Sequence, residues 1–147
     1  KIIVFEIDTN ITNNLHKNLK NNFCKFLIID KCLNFNQNLK NIKFYLNNDF
    51  LCNYKYEVSK NPINIKTISP YKIKNFNKFN TLIIDAEGFE YDYIKNLNKV
   101  KNIKYIIFEL HNNLLSSKEI NRIFKELKKN KFYLKDKCFN SYYFSKI

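Results

Sequence analysis

Glycine is nearly absent from this sequence: Gly88 is the single one in 147 residues. Alanine and arginine are as scarce, represented only by Ala86 and Arg122, and there is no Met or Trp. With one arginine the chain lacks the bidentate fork that phosphate and base recognition favour. Its net charge of +13 therefore rests almost wholly on lysine. Those lysines are scattered, with no run beyond Lys128-Lys129 plus Lys131, and a nucleic-acid partner is not expected. The dominance of Lys, Asn, Ile, Phe and Tyr is the pattern that AT-biased coding produces. No two of Cys24, Cys32, Cys52 and Cys138 form a C-x-x-C pair or a metal spacing, which predicts reduced, mostly buried thiols in a cytoplasmic setting. No apolar run approaches the roughly eighteen residues of a membrane span. The chain starts at Lys1 rather than Met, which predicts that residue 1 is an internal cut or a processed end.

What is present is a foldable core: hydrophobic residues make up 45% of the chain and aromatics 16%, which excludes a disordered segment. The length predicts one domain, residues 1–147. Its organising stretch is Thr81-Leu-Ile-Ile-Asp85-Ala-Glu87-Gly88-Phe-Glu90. Four residues of β-forming character run into two acids, and the lone glycine sits where the strand must turn into a helical pattern. Those acids either cap the following helix or do chemistry.

Before it, residues 1–8 (KIIVFEID) read as a strand, Thr9 as an N-cap, and Ile11, Leu15 and Leu19 as a helical stripe. Residues 24–30 (CKFLIID) read as a second strand, and the helix between the two makes them parallel neighbours. Residues 34–61 are less regular, with short extended pieces at 42–46 and 54–58. Another extended piece lies between Pro62 and Pro70, and Ser69-Pro70 reads as a helix start. After the central stretch Phe89, Tyr93, Ile94, Leu97 and Val100 form a helical stripe, and residues 104–110 (KYIIFEL) a further strand. Ser116-x-x-Glu119 is a capping box for a helix carrying Ile120, Ile123, Phe124 and Leu127, and residues 132–135 and 141–146 form a closing hairpin. The alternation predicts a doubly wound, mainly parallel α/β sheet with an antiparallel C-terminal hairpin. Ligands of such sheets bind beyond the carboxyl ends of the strands, where Glu6, Asp30, Asp85, Glu87, Glu109 and His111 fall.

These residues resemble the FkbM-type methyltransferases, a branch of the class I S-adenosylmethionine-dependent enzymes. The likeness rests on Asp85-Ala-Glu87-Gly88-Phe-Glu90 after a buried strand, on Phe5-Glu6-Ile7-Asp8 before a Leu-containing helix, and on Glu109-Leu-His111. Phe44-Tyr45 and Thr67 match further family positions. The resemblance implies a Rossmann-like sheet. It implies that Glu6 accepts hydrogen bonds from the cofactor ribose, that Asp30 lies near the adenine, and that Asp85 and Glu87 flank the methyl group and the acceptor. Glu109 and His111 would face them, one of these groups serving as the base that removes the hydroxyl proton. The expected acceptor is a hydroxyl of a small molecule, sugar or glycan. Carboxylates with a histidine also suit a divalent cation, the alternative to plain base catalysis. The family's glycine-rich loop has no counterpart here, which implies that the first strand and its loop are missing. A competing reading, favoured by the same lack, is a catalytically silent α/β domain that serves as a binding or structural module.

Overall fold

The computed structural model describes residues 1–36, 38–46, 52–53 and 63–146. The chain divides into two units, one of Lys1–Lys43 with Ile63–Lys72 and one of Phe44–Pro62 with Ile73–Ile147. Its sheets hold parallel and antiparallel strands beside a few helices, a mixed α/β structure.

In the first unit, strand β1 (Ile2–Phe5), helix α1 (Thr9–Asn21) and strand β2 (Phe26–Ile29) follow one another. The return through α1 makes β1 and β2 parallel, in register from Ile2↔Phe26 to Phe5↔Ile29. The N-cap is Asp8 rather than Thr9: its side chain accepts the Asn10 N–H at 2.7 Å, and its own backbone is extended. Of the helical stripe, Leu15 and Leu19 are half-buried while Ile11 is exposed. Strand β3 (Cys32–Leu33) comes next, and strand β4 (Asn41–Leu46) begins in this unit and ends in the second, pairing there with β5 (Cys52–Asn53). Strand β6 (Ile63–Ile68) runs parallel to β3, and Cys32, Leu33, Phe35 and Ile65 are buried in this unit. Ser69-Pro70 starts only a single 3-10 turn, Pro70–Lys72, and the Ser69 hydroxyl caps nothing. The expected extended piece at residues 54–58 lies outside the described residues. Among the described thiols only Cys32 is buried; Cys24 is half-buried and Cys138 exposed, and all three are free.

In the second unit, β7 (Thr81–Ile84) and β8 (Tyr105–Glu109) are parallel neighbours, and β10 (Ser141–Lys146) and β9 (Phe132–Cys138) complete the order β7-β8-β10-β9. β10 pairs antiparallel with both of its neighbours, so the C-terminal hairpin is formed. Strand β9 runs three residues further than the sequence pattern predicts, to Cys138. The reversal takes only Phe139 and Asn140, and Phe139 adopts φ 50°.

Alternation along β7 and β8 buries Ile84, Ile106 and Phe108 on one face. Helix α3 (Ser117–Lys129) covers that face: Ile123 and Leu127 are fully buried, and the Phe124 ring lies 6.5 Å from Phe108 and 6.3 Å from Phe144. The capping box is formed, with Ser116 and Glu119 satisfying each other's backbone N–H. The opposite face leaves Ile83 69% exposed.

The helix after β7 is shorter than its stripe. Helix α2 spans Glu90–Ile94 and passes into a 3-10 turn at Leu97–Lys99. Asn96 explains the stop, because its side-chain amide donates to the Asp92 carbonyl at 2.7 Å and competes with the helix ladder. Phe89, Ile94, Leu97 and Val100 are nonetheless buried as the stripe requires.

Candidate active site at the ends of β7 and β8

The register Ile84↔Phe108 makes Asp85 and Glu109 the next neighbours at the carboxyl ends of the two parallel strands. His111 follows two residues after Glu109. Asp85, Glu109 and His111 each bring one ligand-type atom to within 4.8 Å of the others. Glu87 joins them, with Oε2 at 3.3 Å from His111 Nε2, and Asp85 Oδ1 is 3.8 Å from the same nitrogen. Four of the six residues expected at one rim are therefore together. Glu6 and Asp30 belong to the first unit, where the register Phe5↔Ile29 sets them side by side past the ends of β1 and β2.

A fifth group lies beneath the cluster. Glu90 is fully buried, and its Oε1 is 2.5 Å from His111 Nδ1 and 3.1 Å from the Gly88 backbone nitrogen. Oε1 accepts the Gly88 N–H, so the imidazole is the donor in the short contact and Nε2 is the nitrogen turned toward Asp85 and Glu87. Glu90 stands in the motif Asp85-Ala-Glu87-Gly88-Phe-Glu90, and the resemblance assigns it no role. A signal was available: Glu90 falls at i, i+4 and i+7 with Ile94 and Leu97, so an acid occupies the apolar stripe of its helix.

The turn that aims these groups depends on the lone glycine. Glu87 has φ 41° and Gly88 φ 96°, two successive residues on the left-handed side. A Cβ at the second would meet the neighbouring carbonyl. Gly88→Ala is therefore expected to cost about 1–2 kcal/mol of stability, seen as a lower urea midpoint with an unchanged slope.

The electrostatics follow from the crowding. The hydrogen bond to Glu90 raises the His111 pKa above its ordinary 6.5, and the charges of Glu90, Glu87 and Asp85 add to the effect against the opposing cost of burial. Burial raises the Glu87 pKa above 4.5, repulsion from Asp85, Glu90 and Glu109 adds to it, and His111 opposes it. Two carboxylate oxygens of the cluster, Glu87 Oε2 and Glu90 Oε2, are buried without a hydrogen-bond partner among the described residues. Such an arrangement can take a proton at Nε2, and Asp85, Glu109 and His111 together offer the donor set a divalent cation needs.

No protein-family model matches the chain, and no curated protein or solved structure matches it.

Proposed function

We propose that the chain belongs to an S-adenosylmethionine-dependent methyltransferase of the FkbM type, acting on a hydroxyl of a small molecule, sugar or glycan in the cytoplasm. The observation that carries the reading is the convergence of Asp85, Glu87, Glu109 and His111 at the ends of two parallel strands, with His111 held from below by buried Glu90. The parallel pairs β1–β2 and β7–β8, which lie in separate sheets, are the kind of strand pairing that α/β folds use.

The residues present suit the cofactor. Glu6 is half-buried, and its Oε1 accepts the Asp8 N–H at 2.8 Å, so its carboxylate is held at the edge where a ribose diol would meet it. Asp30, exposed beside it, is the neighbour for an adenine amino group. When bound, the cofactor supplies an electrophilic methyl group on a sulfonium. The rest falls to the chain. His111 Nε2 accepts the proton of the acceptor hydroxyl while Nδ1–H stays with Glu90. Asp85 and Glu87 stabilise the imidazolium so formed and hold the hydroxyl in line.

The test is calorimetry with S-adenosylmethionine on the chain and on Glu6→Ala. Loss of a charge-assisted contact to the ribose is expected to weaken binding about tenfold or more. Equal affinity in the two proteins removes Glu6 from the cofactor site, and no binding to either contradicts the reading for this chain.

A further inference from the structure

When His111 is neutral its proton stays on Nδ1 against Glu90, and the lone pair of Nε2 then faces only acceptors. Glu87 Oε2 is 3.3 Å from that nitrogen and Asp85 Oδ1 is 3.8 Å from it. The Glu87 oxygen is buried and makes no hydrogen bond among the described residues, so its contact with Nε2 is not one. Glu109, half-buried, brings a carboxylate oxygen to within 4.8 Å of the ligand-type atoms of Asp85 and His111. Beneath the same imidazole, fully buried Glu90 keeps a second oxygen, Oε2, that is also unpartnered. Countercharge is missing as well. The chain holds 26 Lys and Arg residues, and among the described residues none of them pairs with Asp85, Glu87, Glu90 or Glu109.

Lone pairs that converge without a donor need something positive between them, and the distances choose among cations. Zinc binds imidazole nitrogen and carboxylate oxygen with tetrahedral angles at about 2.0–2.2 Å, which sets its ligand atoms about 3.4 Å apart. Glu87 Oε2 and His111 Nε2 stand at that separation, and Asp85 Oδ1 needs only a small side-chain rotation to reach it. A nitrogen in the set disfavours magnesium and calcium, which take oxygen ligands. The contact from His111 Nδ1 to Glu90 is the outer contact that fixes the tautomer of a ligating histidine. The Asp85 side chain is 66% exposed, so the site opens to solvent on that side. We infer that the cluster binds a zinc-type divalent cation through Asp85, Glu87, Glu109 and His111 Nε2, with Glu90 orienting the imidazole. Binding follows from the donor set alone. Its consequence rests on the methyltransferase reading: the cation takes the nitrogen that would accept the hydroxyl proton, so zinc switches the base off.

The experiment titrates the whole chain with zinc chloride and with magnesium chloride by calorimetry at neutral pH. Wild type, Asp85→Asn, His111→Gln, Glu90→Gln and a control, Glu126→Gln on α3, are compared. Zinc is expected to bind saturably at one site and far more tightly than magnesium. Asp85→Asn and His111→Gln should each weaken it about a hundredfold, the share of one ligand in such a site. Glu90→Gln should weaken it about tenfold through the imidazole it orients, and the control should bind as wild type does. In NMR spectra zinc should shift the His111 imidazole and leave that of His16 in place. Absence of saturable binding, wild-type affinity in Asp85→Asn and His111→Gln, equal weakening in the control, or magnesium bound as tightly as zinc would each overturn the site. Methyl transfer is measured apart from this, and saturating zinc is expected to suppress it; a rate that zinc raises would overturn the switch. A chain that binds zinc as described but transfers no methyl group without it keeps the cation site and loses the methyltransferase reading.

Discussion

Replacing Glu90 by alanine is expected to destabilise the chain by about 3–5 kcal/mol, the cost of stripping one partner from a buried charged contact. The residue is fully buried and serves two groups at once, His111 Nδ1 and the Gly88 N–H. Alanine leaves both donors without an acceptor and opens a void next to Ile94, which is itself fully buried. Glu90→Gln separates charge from shape. It keeps an acceptor oxygen and the volume, so its cost is expected to be about 1–2 kcal/mol. Chemical denaturation of both variants checks the pair. Equal losses would mean that the charge of Glu90, and not its volume or its acceptor oxygen, accounts for the whole cost.

The second large effect concerns turnover. With tritiated S-adenosylmethionine and a panel of sugar and glycan hydroxyls, His111→Gln is expected to lower methyl transfer about 10²–10⁴-fold, the contribution of a positioned base. Glutamine fits the space yet accepts no proton at neutral pH, so cofactor affinity should change little. Because the His111 pKa is raised, the neutral imidazole becomes the main form only above pH 6.5. The wild-type rate should therefore climb with pH through a midpoint above that value, and Glu90→Gln should bring the midpoint down. A rate that falls over this range would make His111 an acid instead.

Stability should move the opposite way with pH. His111 binds its proton more tightly in the fold than in the unfolded chain. Its contribution is complete below pH 6.5 and is lost as pH rises through the folded value. Glu87 is also raised, so its protonated form is the favoured one in the fold, and its contribution likewise falls away as pH rises above 4.5. Between pH 6 and pH 9 the melting temperature of wild type should decline, and His111→Gln should flatten that decline.

Much of this site could be read from the chain because strand ends are strongly marked. The apolar run of residues 81–84 stops at Asp85, and the run of 105–108 stops at Glu109. Parallel pairing then brings the two acids together without any further information. The capping box at Ser116 was legible for the same reason: its chemistry is local. Groups that depend on a turn were not. The apolar stripe marks Glu90 as a buried acid, but its contact with His111 depends on the turn in which Glu87 and Gly88 adopt positive φ, and residue spacing does not reveal such a turn. The Asn96 side chain shortens α2 by a contact that periodicity ignores.

Glu90 and the surrounding acids hold a proton on His111 at the lip of β7 and β8, and the imidazole itself reports it. The chain has only two histidines, so nitrogen-detected NMR of the imidazoles resolves His111 from His16 by a single substitution, His16→Asn. His111 is expected to titrate above 6.5, and Glu90→Gln to shift its midpoint downward while the fold persists. A His111 midpoint at or below 6.5, or one that Glu90→Gln leaves in place, would contradict it.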